Sequence, residues 1–225
     1  MNRRIPLLIF GLVGTSILMS LGLWQLQRMN WKAGILAEID ARLAEPPVAL
    51  PIASDPVADK YLQVEVTGVI VENELHVLTF GDGGPGFRVI APMVLQDGRR
   101  ILVDRGFLPE TEKDVLRKGG AVTAVGSLVW PQETDKYVPD PNLEKNIWFA
   151  RDVNLMAETL ETEHVMLAIS RSTNNDGITP QRVSINISNR HLEYVMTWFS
   201  LAYMGRDDRV RSLAYQTKSI MSRMG

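Results

Sequence analysis

The chain has 225 residues, 45% of them apolar, with a net charge of −2 and no cysteine. That length accommodates one ordinary soluble domain beside membrane segments, and the missing thiol excludes disulfides, thiolate metal sites, cysteine nucleophiles and covalent c-type haem attachment. Charge is uneven: residues 1–32 carry +4, residues 33–188 carry 14 Lys and Arg against 23 Asp and Glu, and residues 189–225 carry +3. Basic ends around an acidic middle are what the positive-inside rule expects of two cytoplasmic termini and one translocated domain. An acidic middle does not neutralise phosphates, so nucleic acid is not an expected partner.

Ile5 to Trp24 contains no charge, and as a helix it would be about 30 Å long, the thickness of the bilayer hydrocarbon. A cleaved signal peptide fits less well, because the run exceeds a signal core and ends on bulky Trp24 rather than on small residues. An uncleaved anchor is expected, with Trp24 and Trp31 at the membrane interface. The N-terminus enters this span almost at once, which points to a bacterial inner membrane rather than an organelle. Leu36, Ile39 and Leu43 continue the helical spacing until Pro46 and Pro47 stop it. After a Pro- and Asp-containing link, Leu62, Val64 and Val66 alternate with Gln63, Glu65 and Thr67, the pattern of a half-buried strand.

Further strands are predicted over Leu75–Phe80, Phe87–Leu95, Arg99–Asp104, Ala121–Trp130, Val165–Ile169 and Arg182–Ile187, with Asp97-Gly98 as a hairpin turn. Thr111 and Asp114 resemble a capping box opening a short helix that Gly119 and Gly120 close. Asp152 is placed to cap a second helix, Val153–Glu161. The expected fold is α+β: an N-terminal transmembrane helix, a mostly antiparallel β-rich periplasmic domain with two or three short helices, and a second, shortened membrane helix at the C-terminus.

Among the motifs, Gly81–Gly86 (GDGGPG) formally matches G-x-G-x-x-G. A pyrophosphate site needs a following helix, and the strand-like residues after Pro85 make a glycine-rich loop between strands the expectation. His76, His164 and His191 lie in separate elements without H-E-x-x-H spacing, so no local metal site is expected. His76 and His164 read as structural or surface residues. His191, on a face shared with Val195 and Trp198 at the start of an apolar run, reads either as a snorkelling interfacial imidazole or as an axial haem ligand. Asp104-Arg105-Gly106 reads as a charged strand end entering a turn, and no G-x-S-x-G or Ser-His-Asp grouping accompanies it.

Four stretches together resemble one family: LGLWQLQRMNWK (Leu21–Lys32), GFRVIAPMVLQDGRRILVDRGFLP (Gly86–Pro109), GSLVWP (Gly126–Pro131) and NRHLEYVMTWFSLA (Asn189–Ala202). Their order is that of the surfeit locus protein 1 family of cytochrome oxidase assembly factors. The resemblance implies two membrane spans, a large domain on the periplasmic or intermembrane-space side, and a role in building the haem-containing core subunit of haem-copper oxidases. It further implies that a histidine opening the second span, His191 here, is a ligand for haem a, with Trp198 a candidate to pack on the haem. Phe107 stands where the family usually has Trp, and Arg190 where it commonly has Asn. The apolar run Leu192–Met204 gives only about 20 Å of helix, followed by Arg206-Asp207-Asp208-Arg209. Residues 205–225 are then either a tail from a shifted reading frame or a basic amphipathic segment on the membrane surface.

The expected organisation is an anchor over residues 1–32, a β-rich domain over 33–188, a short second membrane segment over 189–204 and the tail. The expected function is non-enzymatic assembly of haem-copper oxidase, assisting haem a insertion or stabilising the nascent core subunit, with that subunit, other assembly factors and the lipid bilayer as partners. The alternatives are a membrane-anchored periplasmic enzyme and a scaffold that binds no haem.

Overall fold

The computed structural model describes residues 4–81, 84–171, 177–181, 183, 193–201 and 203. They fall into two units, one made of the chain up to Glu38 together with the helical residues 193–201 and 203, the other beginning at Ile39 and including the sheet. The expected strand Arg182–Ile187, residues 189–192 with His191, and the tail 205–225 lie outside the described residues, apart from Val183.

Helix α1 (Arg4–Ala44) runs for 41 residues, about 60 Å at 1.5 Å per residue and twice the hydrocarbon thickness. It is the helix among the described residues that is long and apolar enough to cross a membrane. Phe10, Leu12, Val13, Ile17 and Leu23 are exposed, as lipid-facing side chains would be. The hydroxyls of Thr15, Ser16 and Ser20 donate to carbonyls four residues back at 2.8–2.9 Å, which satisfies them where no water is available. Farther along, the Arg28 guanidinium lies 4.8 Å from the Trp31 ring centroid. At the end of the helix Arg42 donates to the carbonyls of Ala58 and Lys60, and Pro46 and Pro47 stop it as expected.

The second unit is a sheet curled on itself. Its strands are β1 (Val48–Ala49), β2 (Gln63–Ile70), β3 (Leu75–Gly81), β4 (Gly84–Leu95), β5 (Arg100–Pro109), β6 (Gly120–Val129) and β7 (Met166–Ile169). They neighbour one another in the order β1-β2-β6-β7-β5-β4-β3, and a further pairing of Gly68–Ile70 with Met93–Leu95 joins β2 to β4. The ring β2-β6-β7-β5-β4 is thereby barrel-like. Pairings are antiparallel except β1 with β2 and β5 with β7. Alternation places Val64, Val66, Met93, Val103, Leu128 and Leu167 in one buried cluster inside the ring. On the outside, α2 (Val153–Leu160) sets Met156 and Leu160 against Ile90, Leu102, Met166 and Trp148. Asp152 caps α2, accepting from the N–H groups of Asn154 and Leu155.

The expected helix between Thr111 and Gly119 is not formed. Only a 3-10 turn, Glu110–Glu112, follows Pro109, and no side chain caps it. The chain is instead tied down along its length, with Lys113 over the Phe87 ring and Arg117 paired with Glu74. Gly119 is not a helix cap: a Cβ there would lie 2.0 Å from the Ile70 carbonyl oxygen, so it is a point of close backbone approach. The glycine-rich stretch joins two strands as expected, but the strands reach into it: Gly81 pairs with Gly84 and Thr79 with Gly86 across β3 and β4.

Leu167 is fully buried inside the ring whereas Val69 is half exposed. Leu167→Ala should lower stability by about 2–5 kcal/mol and Val69→Ala by far less, read as urea midpoints of the full chain in detergent. Equal midpoints for the two variants would contradict this assignment of inside and outside.

Candidate functional site

The charged residues of the longest family-like stretch converge on an irregularity in β5. Strand β4 pairs Val89 with Gly106 and Ile90 with Asp104, leaving Arg105 as the extra residue of a β-bulge. Gly106 has φ +114°, and a Cβ there would lie 2.2 Å from the Thr179 carbonyl oxygen. Phe107 exchanges both backbone hydrogen bonds with Thr179 at 2.8 Å. Only glycine meets both requirements at this position.

The bulge holds two charged side chains inside the protein, Asp104 at 1% and Arg105 at 4% exposure. Asp104 Oδ2 accepts from Arg88 Nε at 2.8 Å and from an Arg151 terminal nitrogen at 3.2 Å, while Oδ1 accepts from the Gly106 N–H at 3.2 Å. Arg151 also grips Glu133 through Nε and its second terminal nitrogen, and its backbone N–H donates to the same carboxylate at 3.0 Å. This first group therefore alternates in charge: Arg88, Asp104, Arg151, Glu133.

The second group surrounds Glu74. Its Oε1 accepts from Arg117 at 2.6 Å and from His76 Nε2 at 2.9 Å, and its Oε2 lies 3.7 Å from an Arg105 nitrogen. Arg117 further donates to the Glu112 carbonyl. Because an ionised carboxylate only accepts, His76 carries its proton on Nε2. The His76 ring lies 5.6 Å from that of Phe87.

Burial pushes the carboxyl of Glu74 up, but the His76 hydrogen bond and the Arg117 charge outweigh it and hold it below the usual glutamate range. Glu133 follows the same balance: burial raises it, and the Arg151 hydrogen bond and charge bring it lower. Burial lowers the Arg151 guanidinium, and its bonds to Glu133 and Asp104 raise it by more. A carboxyl tuned for general-acid work at neutral pH is shifted upward, so these two glutamates are set as fixed anions. The chemistry of the arrangement is the neutralisation of charge inside a sheet.

Asp104-Arg105-Gly106 is thus not a strand end entering a turn. It lies within β5, and its charges are buried beside ionic partners from other segments, Arg88, Arg151 and Glu74. Arg88, Glu133, Arg151, Glu74 and Arg117 were not singled out from the sequence. The available signal was charge inside apolar strand patterns: Arg88 between Phe87 and Val89, and Asp104-Arg105 between Val103 and Phe107. His76 is structural in the sense expected, and His164 contributes its carbonyl to the Trp130 indole at 2.8 Å.

Of the two residues put forward for haem, His191 lies outside the described residues. Trp198 belongs to the helical residues 193–201, is half buried, and has no hydrogen-bond partner on its buried indole Nε1 among the described residues. One residue on, the Phe199 ring sits against Gly22 of α1, where a Cβ would be 2.8 Å from it. Trp198 and the β5 bulge belong to separate units.

The sequence profile of the SURF1 family matches residues 12–203. The chain is similar to the human protein named Surfeit locus protein 1, 32% identical over 209 residues that make up 81% of this chain and 69% of that one. It is also similar to a SURF1-like protein of Rickettsia felis, 30% identical with 85% and 89% covered, and to one of Monosiga brevicollis, 28% identical with 88% and 80% covered.

Truncating Asp104 to Ala would leave Arg88 and Arg151 buried beside one remaining carboxylate and should cost about 3–5 kcal/mol, read as a lower denaturation midpoint. The pH dependence has a definite sign. Glu74 and Glu133 are depressed in the folded state, so their contribution is complete above the unfolded glutamate pKa of about 4.3 and is lost as pH falls through the folded values. Urea midpoints of the wild type should drop between about pH 5 and pH 3, and Glu133→Gln should flatten that drop. A steeper fall in the variant would show the sign to be wrong.

Proposed function

The chain belongs to the SURF1 family, and from that premise we propose that it is a non-enzymatic assembly factor for haem-copper oxidase. It stabilises the nascent core subunit or assists haem a insertion while anchored in a bacterial inner membrane, with the N-terminus cytoplasmic and the β-rich domain periplasmic. The observation that carries this reading is the extent of the family match, which runs from the apolar part of α1 through the β5 bulge to the helix of Trp198. Consistent with it, a helix able to span a membrane precedes the domain, and basic residues flank an acidic middle.

For the haem, His191 and Trp198 remain the residues we put forward. Trp198 is half buried, and its indole N–H has no hydrogen-bond partner among the described residues. His191 would supply the axial imidazole and Trp198 would pack against the macrocycle. The protein's part would be to ligate and release the haem, whose redox chemistry would serve the oxidase.

The test is the visible spectrum of the full chain purified from cells that make haem a. A haem band is expected in the wild type, lost in His191→Ala and weakened severalfold in Trp198→Phe. Wild-type protein without haem that still restores oxidase activity to a deletion strain would support the scaffold role and remove the haem step. Full oxidase activity in the deletion strain, with no second copy of the gene, would remove the assembly role itself.

A further inference from the structure

Four residues at the end of the uncharged run of α1 share one face of the helix. At about 3.6 residues per turn, Trp24, Arg28, Trp31 and Lys32 fall within an arc of about 100°. Both tryptophans and Arg28 are exposed. Arg28 leaves the helix about 6 Å beyond Trp24 along the axis. A bilayer of about 40–45 Å with about 30 Å of hydrocarbon has a headgroup layer of about 5–7.5 Å on each side, so Arg28 emerges at the depth of the lipid phosphates. Lys32 follows one turn later, and the tilt of helical side chains toward the N-terminus leans it back to that level.

The protein itself does not neutralise these two charges. No Asp or Glu precedes Glu38 in the chain, and among the described residues neither Arg28 nor Lys32 forms an ion pair or donates a side-chain hydrogen bond. Like charges at i and i+4 repel each other. Arg28 places its guanidinium over the Trp31 ring, 4.8 Å from the centroid. That contact engages the charge through the aromatic face and leaves the N–H fork without an acceptor. Orientation does not account for the pair either: in the topology proposed above this end of the span is periplasmic, where the positive-inside rule gives basic residues no role.

We propose that this face of α1 binds the headgroup phosphate of an anionic phospholipid. The phosphodiester accepts the Arg28 fork through two oxygens and the Lys32 ammonium at the same group, which removes the repulsion between the two cations. The tryptophans on either side of Arg28 suit the boundary between headgroup and acyl chain. A zwitterionic lipid offers the same phosphate but carries its own cation beside it, so the site discriminates by net headgroup charge. The proposal rests on the reading that α1 spans a membrane and is independent of the haem reading.

The test is native mass spectrometry of the full chain released from an uncharged detergent that contains phosphatidylglycerol and phosphatidylcholine of matched chain length in equal amounts. Bound phosphatidylglycerol should exceed phosphatidylcholine by about tenfold, and Arg28→Gln and Lys32→Gln should each cut that preference about fivefold, the effect of one basic residue at an anionic surface. Lys118→Gln removes the same charge from an exposed residue outside α1 and should leave the preference unchanged. Equal retention of the two lipids by the wild type, or a preference in Arg28→Gln and Lys32→Gln equal to that in Lys118→Gln, would overturn the proposal while leaving the anchor in place. Retention of neither lipid would remove the anchor reading together with the proposal. Displacement of phosphatidylglycerol by an equal concentration of inorganic phosphate would assign the site to a free anion and overturn its assignment to a lipid.

Discussion

The β-rich unit depends on one extra residue. The bulge at Arg105 interrupts the regular pairing of β5 with β4 between Asp104 and Gly106. With it, Gly106 turns through a positive φ, Thr179 closes on the strand, and two adjacent charges are delivered to two ionic groups. Charge in a sheet interior is tolerated only when every ion is paired and hydrogen-bonded. That condition ties together parts of the chain far apart in sequence. Arg88 and Asp104 come from paired strands, Arg151 from the approach to α2, Glu133 from the segment after β6, and Glu74 and Arg117 from either side of the β4–β5 hairpin.

Such a network adds less to net stability than its contacts suggest, because burying ions costs several kcal/mol each before pairing recovers it. Its larger effect is on geometry. Arg151 can satisfy Asp104 and Glu133 together only in one position, and this holds the loop before α2 against the sheet just as Asp152 starts the helix. The same loop, through Trp148, Phe149 and Asp152, lines a small surface cavity beside α2. Ionic bonds beside β5 therefore set the shape of a surface that has few ionic bonds of its own.

Local elements were legible where one principle dominated. The long apolar helix followed from the absence of charge between Ile5 and Trp24, β2 from its alternation, the β4–β5 turn from Asp97-Gly98, and α2 from its Asp152 cap. The helix assigned to 111–119 failed because a capping pattern is local, whereas Lys113, Arg117 and Gly119 are held by contacts with distant strands. Closure of the ring had no local signal, since pairing of β2 with β4 joins residues about 25 positions apart. The site was legible only as an anomaly. Asp104 and Arg105 interrupt an apolar run, but their neighbours do not reveal that Arg151 and Glu74 lie close enough to neutralise them. The resemblance to a family drew attention to His191 and Trp198, residues that periodicity alone placed on an apolar face without assigning them a role.

Burial of these networks also sharpens the electrostatic character of the domain. Arg88, Arg105, Arg117 and Arg151 are withdrawn into the interior or nearly so, and they represent four of the 14 basic residues between 33 and 188. The carboxylates withdrawn with them, chiefly Asp104 and Glu74, are fewer, and the same stretch contains 23 acids. The solvent-facing surface is accordingly more acidic than composition alone indicates. Fields of this kind act mainly on encounter: they raise the local concentration of a basic partner and reject an acidic one, with an effect that weakens as salt rises. Long-range attraction does not distinguish one basic segment from another.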